Sequence, residues 1–170
     1  NNSGAKIKFI GKRSLKIIGI REFTNGTHKI IGDRIEAFSY LCVAVITKGE
    51  ILVKNINPKF LDSEIKALKK LGCLIKLNKN SIYLKTKKKL RPINIKTSPF
   101  PGFATDNMPI ILAVLSIVIG KSQIEENIFS NRFMAVPELL RMGAKIKVKK
   151  NKATIIGQKS LKSADCISSD

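Results

Sequence analysis

Histidine, cysteine and acidic residues are scarce in this 170-residue sequence, with one His, three Cys and 12 Asp plus Glu against 32 basic residues. The single histidine, His28, leaves no Cys-His pair for nucleophilic catalysis and no His-based metal set. Cys42, Cys73 and Cys166 are odd in number, widely spaced and in no CxxC arrangement. That spacing argues against a disulfide scaffold or a zinc site and for a reducing compartment. The longest apolar run, residues 109–119 (PIILAVLSIVI), falls short of the ~18 residues a bilayer crossing needs. It reads as a buried helix, and no membrane partner is expected. The opening NNSGAKIKF has no charged-then-apolar leader and no initiating Met. The expectation is a soluble cytoplasmic protein cut from something longer.

What is present is a core. Hydrophobic residues make up 44% of the chain, enough for one sizeable domain. The net charge of +20 would ordinarily raise a nucleic acid or an anionic surface as partner. Its composition points elsewhere: 26 of the basic residues are Lys and six are Arg, beside 26 Ile and 12 Asn. Lys, Ile and Asn share A/T-rich codons, so the excess reads as genomic base bias on permissive positions. No helix-turn-helix, zinc or RNA-binding motif accompanies the charge, and no specific nucleic-acid partner is expected.

A repeat runs through the chain. SGAKIKFIGKRSLKIIG from Ser3, LGCLIKLNKNSIYLK from Leu71 and MGAKIKVKKNKATIIG from Met142 share a glycine, a small or apolar pair and Ile-Lys, and Gly4, Gly72 and Gly143 are 68 and 71 residues apart. Upstream, the stretch from Asp33 aligns with the stretch from Asp106, 73 residues later. Periodicity gives the same order twice. A short strand (28–31, then 93–96) leads to an Asp and a largely apolar helix, the second over about 107–119. A strand (50–56, then 122–128), an amphipathic helix (62–71, then about 131–142) and a two-stranded hairpin follow. Gly72 and Gly143 stand where a helix C-terminal glycine belongs. The fold class is therefore α/β, built of repeated β-α-β-α-β-β units with sheets packed around buried helices. Residues 1–27 read as the closing strands of a preceding unit. Residues 28–170 read as most of one domain, with units over 28–91 and 92–160 and the start of a third at Asp170. Both ends are expected to be truncations.

Several residues could carry chemistry. Asp33, Asp106 and Asp170 recur at expected helix starts, where a carboxylate caps free N–H groups, so capping competes with any chemical role. The loop SPFPGFATD (98–106) has no counterpart before Asp33, and it fits either a rigid ligand loop or a structural turn. Arg132 falls near the start of the 131–142 helix, whose first turn Pro137 marks. A cation there opposes the dipole, which fits an anion bound between Arg132 and the free N–H groups or a surface position without function. Arg34 poses the same question, with Asp33 beside it as an alternative partner. Cys73 occupies the place of Ala5 and Ala144, and Cys42 sits on an apolar helix face, so both read as small buried residues.

Taken together, DRIEA (33–37), SPFPGFATD (98–106) and NRFMAVPELLRMGA (131–144) resemble the UDP-N-acetylglucosamine 1-carboxyvinyltransferase family over essentially the whole chain. The sister family, enolpyruvylshikimate phosphate synthase, shares the six-fold repeat but not the last two signatures. The resemblance implies an inside-out α/β barrel of two three-unit domains with the active site between them, so the remaining domain is an expected partner. It implies transfer of the enolpyruvyl group of phosphoenolpyruvate to the 3′-hydroxyl of UDP-N-acetylglucosamine in peptidoglycan synthesis, with bearing on cell shape and division and with no cofactor or metal. On this resemblance Asp106 takes the proton of the sugar 3′-hydroxyl and contacts UDP-N-acetylglucosamine, and Asp170 matches a catalytic-site aspartate. Ile128 contacts the sugar nucleotide through its backbone, Thr105 and Phe129 line that pocket, and Arg132 lies near the phosphoenolpyruvate subsite. Arg34 joins them as a substrate-binding candidate.

The chain departs from the family at Met108 (usually Gln), Ala135 (usually His) and Phe38-Ser39 (usually Gly-Thr). The family's acid cysteine belongs to the other domain and matches none of the three cysteines here, and its further phosphate-binding arginines fall beyond Asp170. The segment alone is expected to be inactive. The alternative expectation is a non-catalytic remnant that keeps the fold and binds sugar nucleotide or other anions.

Overall fold

The computed structural model describes residues 3–12 and 14–167, in two compact units that divide between Ile31 and Gly32. In the first unit, β1 (Lys6–Phe9) and β2 (Leu15–Ile18) form an antiparallel hairpin in the register Lys6↔Ile18 to Phe9↔Leu15. The strand expected over 28–31 does not form. Its alternation lacks a neighbouring ladder, and Ile30 and Ile31 are exposed.

The second unit contains the remaining elements in the order α1 (Arg34–Ile46), β3 (Glu50–Lys54), α2 (Asp62–Leu71), β4 (Leu74–Asn78) and β5 (Ser81–Lys85), then β6 (Asn94–Lys96), α3 (Met108–Ser116), β7 (Gly120–Glu125), α4 (Ala135–Arg141), β8 (Lys145–Lys149) and β9 (Lys152–Gly157). The first set makes an antiparallel sheet of order β3-β5-β4. The second makes a mixed sheet of order β6-β7-β9-β8, with only β6 and β7 parallel. The two sets follow one plan, α-β-α-β-β, and the second has the opening strand that the first lacks.

Local chemistry explains the helix limits. Asp33 caps α1, its carboxylate accepting from the N–H groups of Ile35 (2.7 Å) and Glu36 (3.3 Å). Helix α2 has Asp62 and Glu64 in its first turn, Lys69 and Lys70 in its last, and Gly72 at φ 113° behind it. A Cβ at Gly72 would also sit 3.2 Å from the Lys89 carbonyl, a tight contact that adds to the cost of any side chain there. In α4, Pro137 lies in the first turn and Gly143 follows at φ 86°.

The two apolar helices pack on each other and on the sheets. Phe38, Leu41 and Val45 of α1 and Met108, Ile111, Leu112 and Leu115 of α3 are fully buried, together with the inward-facing Ile82, Leu84, Ile124 and Ile155 of the strands. At roughly 25 cal/mol per Å² of apolar surface removed from water, this shared core holds the two repeats as one body. Cys42 and Cys73 lie within it, and no helix among the described residues is long and apolar enough to cross a membrane.

Candidate functional site

The loop between β6 and α3 is held from both sides by buried carboxylates. Its base is the bridge Thr97↔Phe103, with the Ser98 N–H donating to the Phe103 carbonyl at 3.1 Å. Phe103 turns inward and meets Phe38 edge to face, centroids 5.7 Å apart. Glu64, buried on α2, accepts from the Ala104 N–H (2.9 Å) and from Asn107 Nδ2 (3.0 Å). Glu126, also buried, accepts from Thr105 Oγ1 (3.0 Å) through one oxygen and from the N–H groups of Ile128 (2.8 Å) and Phe129 (3.2 Å) through the other. It thereby ties residues 104–107 to the turn after β7. Asn127 fastens the same turn to β6, donating its N–H to Thr97 Oγ1 at 2.9 Å.

Between these clamps stands Asp106. It is not a cap, and this corrects the sequence expectation: residues Thr105–Asn107 form a 3-10 turn, α3 begins only at Met108, and neither Ala104 nor Asn107, the residues at the cap positions, makes a side-chain cap bond. The carboxylate accepts from Arg132 Nη2 at 2.8 Å. Asp106 remains 57% exposed along its side chain, while Arg132 is 23% exposed. The guanidinium also lies over the Phe129 ring, 6.0 Å from its centroid, and its Nε is buried without a partner.

Arg132 also departs from expectation. The helix starts at Ala135, three residues later, and has seven residues. The cation answers the Asp106 carboxylate, which is neither the cradle of Arg132 and helix N–H groups nor the functionless surface position that the sequence left open. An open pocket of about 600 Å³ is lined by Asp33, Ile35, Asp106, Pro109, Arg132, Met134 and Ala135. A second pocket of about 450 Å³ is lined by Glu126, Phe129 and Phe133 among others and shares Arg132 and Met134 with the first.

Of the residues expected at the site, the structure brings together Thr105, Asp106, Ile128, Phe129 and Arg132. Arg34 has its guanidinium 5.5 Å from the Phe100 ring centroid. Asp33 faces the larger pocket while capping α1. Asp170 lies outside the described residues. Of the positions that depart from the family pattern, Phe38 and Met108 are fully buried, and Ala135 lines the larger pocket.

Burial raises the Cys73 thiol from about 9 to about 11 and drives that of Cys42 higher still, so neither is a nucleophile near neutral pH. Among the described residues no group of three His, Cys, Asp or Glu is placed to hold a metal ion.

Sequence reasoning missed Glu64 and Glu126. The first had a signal: it falls on the apolar stripe of α2, beside Leu61, Ile65, Leu68 and Leu71, where a carboxylate stays only with partners. Glu126 had none, since its role depends on a turn that sequence read as strand.

A sequence profile described as EPSP synthase (3-phosphoshikimate 1-carboxyvinyltransferase) matches residues 1–170. The chain is 42% identical over 169 residues to the UDP-N-acetylglucosamine 1-carboxyvinyltransferase of Pelagibacter ubique, spanning 99% of this chain and 40% of that protein. It is 42% identical over 170 residues to the protein of the same name from Kosmotoga olearia, spanning 100% of this chain and 40% of that protein. The crystal structure of the enolpyruvyl transferase NikO from Streptomyces tendae superposes with a TM-score of 0.78 at 21% identity, over 92% of this chain and 38% of that one. At that identity the likeness shows the fold alone. The chain spans about 40% of the length of the curated relatives it matches.

Proposed function

Because the chain belongs to the EPSP synthase (3-phosphoshikimate 1-carboxyvinyltransferase) family, we propose that it forms one wall of the active site of a UDP-N-acetylglucosamine 1-carboxyvinyltransferase. The protein would transfer the enolpyruvyl group of phosphoenolpyruvate to the sugar 3′-oxygen, a cytoplasmic step toward peptidoglycan. The observation that carries this reading is the Asp106–Arg132 pair, 2.8 Å apart on the lip of the larger pocket, on a loop fixed by Glu64 and Glu126.

In this reading one oxygen of Asp106 is engaged by Arg132, which orients the other toward the sugar hydroxyl. The carboxylate takes the hydroxyl proton as the 3′-oxygen adds to the central carbon of phosphoenolpyruvate, while the methylene carbon gains a proton from an acid on the other domain. Loss of phosphate, with return of a proton from that carbon, leaves the enol ether. Arg132 supplies positive charge where the anionic phosphoenolpyruvate arrives. The N–H of Ile128 is engaged by Glu126, so a backbone contact from Ile128 to the nucleotide sugar falls to its carbonyl. The precise placement of Glu126 then matters more than its charge, because it sets three donors at once. Alone, the chain lacks the acid and the second wall and is expected to be inactive.

A second reading, a remnant that binds without turnover, is favoured by one observation: Ala135 lines the pocket with no side-chain group able to hydrogen-bond. A chimera in which this chain replaces its counterpart in the Pelagibacter ubique protein separates the two. Phosphate release dependent on both substrates supports the transferase. Saturable binding of UDP-N-acetylglucosamine without phosphate release supports the remnant, and absence of both, in a folded chimera, contradicts the site.

A further inference from the structure

Glu64 is a carboxylate on the apolar stripe of α2. It is 1% exposed, among Leu61, Ile65, Leu68 and Leu71, and it enters no ion pair among the described residues. A buried charge without a cation is costly, and an apolar side chain at 64 would continue the stripe without that cost. Helix chemistry offers a local explanation, because a glutamate at the third helical position can fold back onto the N–H groups of its own helix start. Its bonds run elsewhere. Both reach the second repeat, one from the Ala104 N–H at 2.9 Å and one from Asn107 Nδ2 at 3.0 Å, and both end on Oε1.

Those two donors flank the 3-10 turn that carries Asp106. A backbone bond from the Asn107 N–H to the Ala104 carbonyl at 3.1 Å closes the turn, and bonds of this kind have poor geometry and persist only in short pieces. The turn therefore depends on outside anchors. Asn107 is fully buried and its Oδ1 has no partner, so among the described residues Glu64 is what orients its amide. Thr105 is held separately by Glu126. Ala104, Thr105 and Asn107 are thus all fixed by buried carboxylates, and the one residue between them whose side chain is left for Arg132 is Asp106.

We infer that Glu64 is a positioning residue for Asp106: through one buried oxygen, the first repeat sets the place of the carboxylate that the second repeat presents. The inference rests on the transferase reading above, in which Asp106 takes the sugar proton. Glu64 touches neither substrate in that reading and acts only through the turn. A displaced turn spoils proton transfer more than it spoils binding, so the loss falls on kcat and leaves KM nearly unchanged. The charge itself is dispensable. In Glu64→Gln the amide oxygen, with two lone pairs, accepts from both donors in place of Oε1, whereas Glu64→Ala leaves the Ala104 N–H and the Asn107 amide without an acceptor.

The test uses the chimera with the Pelagibacter ubique protein, assayed by phosphate release well below the melting temperature of each variant. Leu68→Ala is the control for lost stability, since Leu68 is fully buried on the same helix and no hydrogen bond joins it to the loop. Displacing a reacting group by about 1 Å costs on the order of 10²-fold. Glu64→Ala should therefore lower kcat by roughly ten- to a hundredfold with KM for either substrate within about threefold, while Glu64→Gln stays within about fivefold in kcat and Leu68→Ala keeps it. An unchanged kcat in Glu64→Ala, an equal fall in Leu68→Ala, or a Glu64→Gln variant as slow as the alanine one overturns the inference. If the unmutated chimera releases no phosphate, the transferase reading fails by itself, and amide hydrogen exchange in the chain decides for Glu64. Faster exchange at Ala104 and Asn107 in Glu64→Ala, with Ile128 and Phe129 unchanged, supports its hold on the Asp106 turn, and unchanged exchange at Ala104 and Asn107 overturns it.

Discussion

Removing the Glu126 carboxylate should damage the protein more than removing any other exposed or buried acid, and the structure sets the scale. Three donors converge on it: the Thr105 hydroxyl, in a buried bond, and the N–H groups of Ile128 and Phe129, in half-buried ones. A hydrogen bond to a charged acceptor is worth roughly 1.5–3 kcal/mol and a neutral one roughly 1 kcal/mol. Glu126→Gln keeps all three contacts, because the amide oxygen faces the two N–H groups while its NH₂ donates to the Thr105 hydroxyl, which rotates to accept. Only charge assistance is lost, about 1–2 kcal/mol. Glu126→Ala leaves three donors without an acceptor. The bonds at Ile128 and Phe129 are only part-buried, which moderates the loss, and about 3–4 kcal/mol is expected. Urea unfolding at equilibrium, followed by circular dichroism, measures both. Amide hydrogen exchange at Ile128 and Phe129 should accelerate in Glu126→Ala and change little in Glu126→Gln. An alanine variant within about 1 kcal/mol of the parent, or a glutamine variant as damaged as the alanine one, would refute the view that this acceptor geometry holds the loop.

Asp33→Ala should cost about 1 kcal/mol by removing a helix cap, and Asp106→Ala, which breaks an ion pair exposed on its carboxylate side, should cost no more than about 1 kcal/mol in thermal or urea melts. Phe38→Ala empties a fully buried site beneath Phe103 and should cost about 3–5 kcal/mol while loosening the 98–106 loop, visible as faster exchange of the Ser98 amide. Thiol labelling of the native protein at neutral pH should modify Cys166, which is exposed, and spare Cys42 and Cys73 until the chain unfolds. Because burial raises the Cys73 thiol from about 9 to about 11, its contribution to stability is complete below pH 9 and is lost as pH rises toward 11. A Cys73→Ala variant should lose less stability over that window.

Much of the architecture was legible in sequence because it is local. The apolar faces of α1 and α3, the exact span of α2, the hairpins and the glycines behind α2 and α4 all follow from periodicity and backbone preference within a dozen residues. The strand over 28–31 was not, because alternation without a neighbouring ladder fixes no strand. The site was half legible. Asp106 and Arg132 could be picked out as unusual, yet both were assigned to helix ends that begin two and three residues further on. What sequence could not show is their pairing across 26 residues, or the reach of Glu64 to a loop 40 residues away. The first contact forms within the second repeat and the second joins the two repeats, and no local rule encodes either.

The proposed role of the Asp106 carboxylate, held by Arg132, as acceptor of the sugar proton is tested most directly by one comparison. In the chimera with the Pelagibacter ubique protein, Asp33→Asn and Asp106→Asn are measured for kcat by release of phosphate. Asparagine caps a helix about as well as aspartate, so Asp33→Asn should turn over within a few-fold of the unmutated chimera. Asparagine at 106 still accepts a hydrogen bond from Arg132 but takes no proton from a sugar hydroxyl, and loss of a general base lowers the rate by ~10²- to 10⁴-fold. A drop of that size in Asp106→Asn alone is the predicted result. Turnover within a few-fold of Asp33→Asn would contradict it.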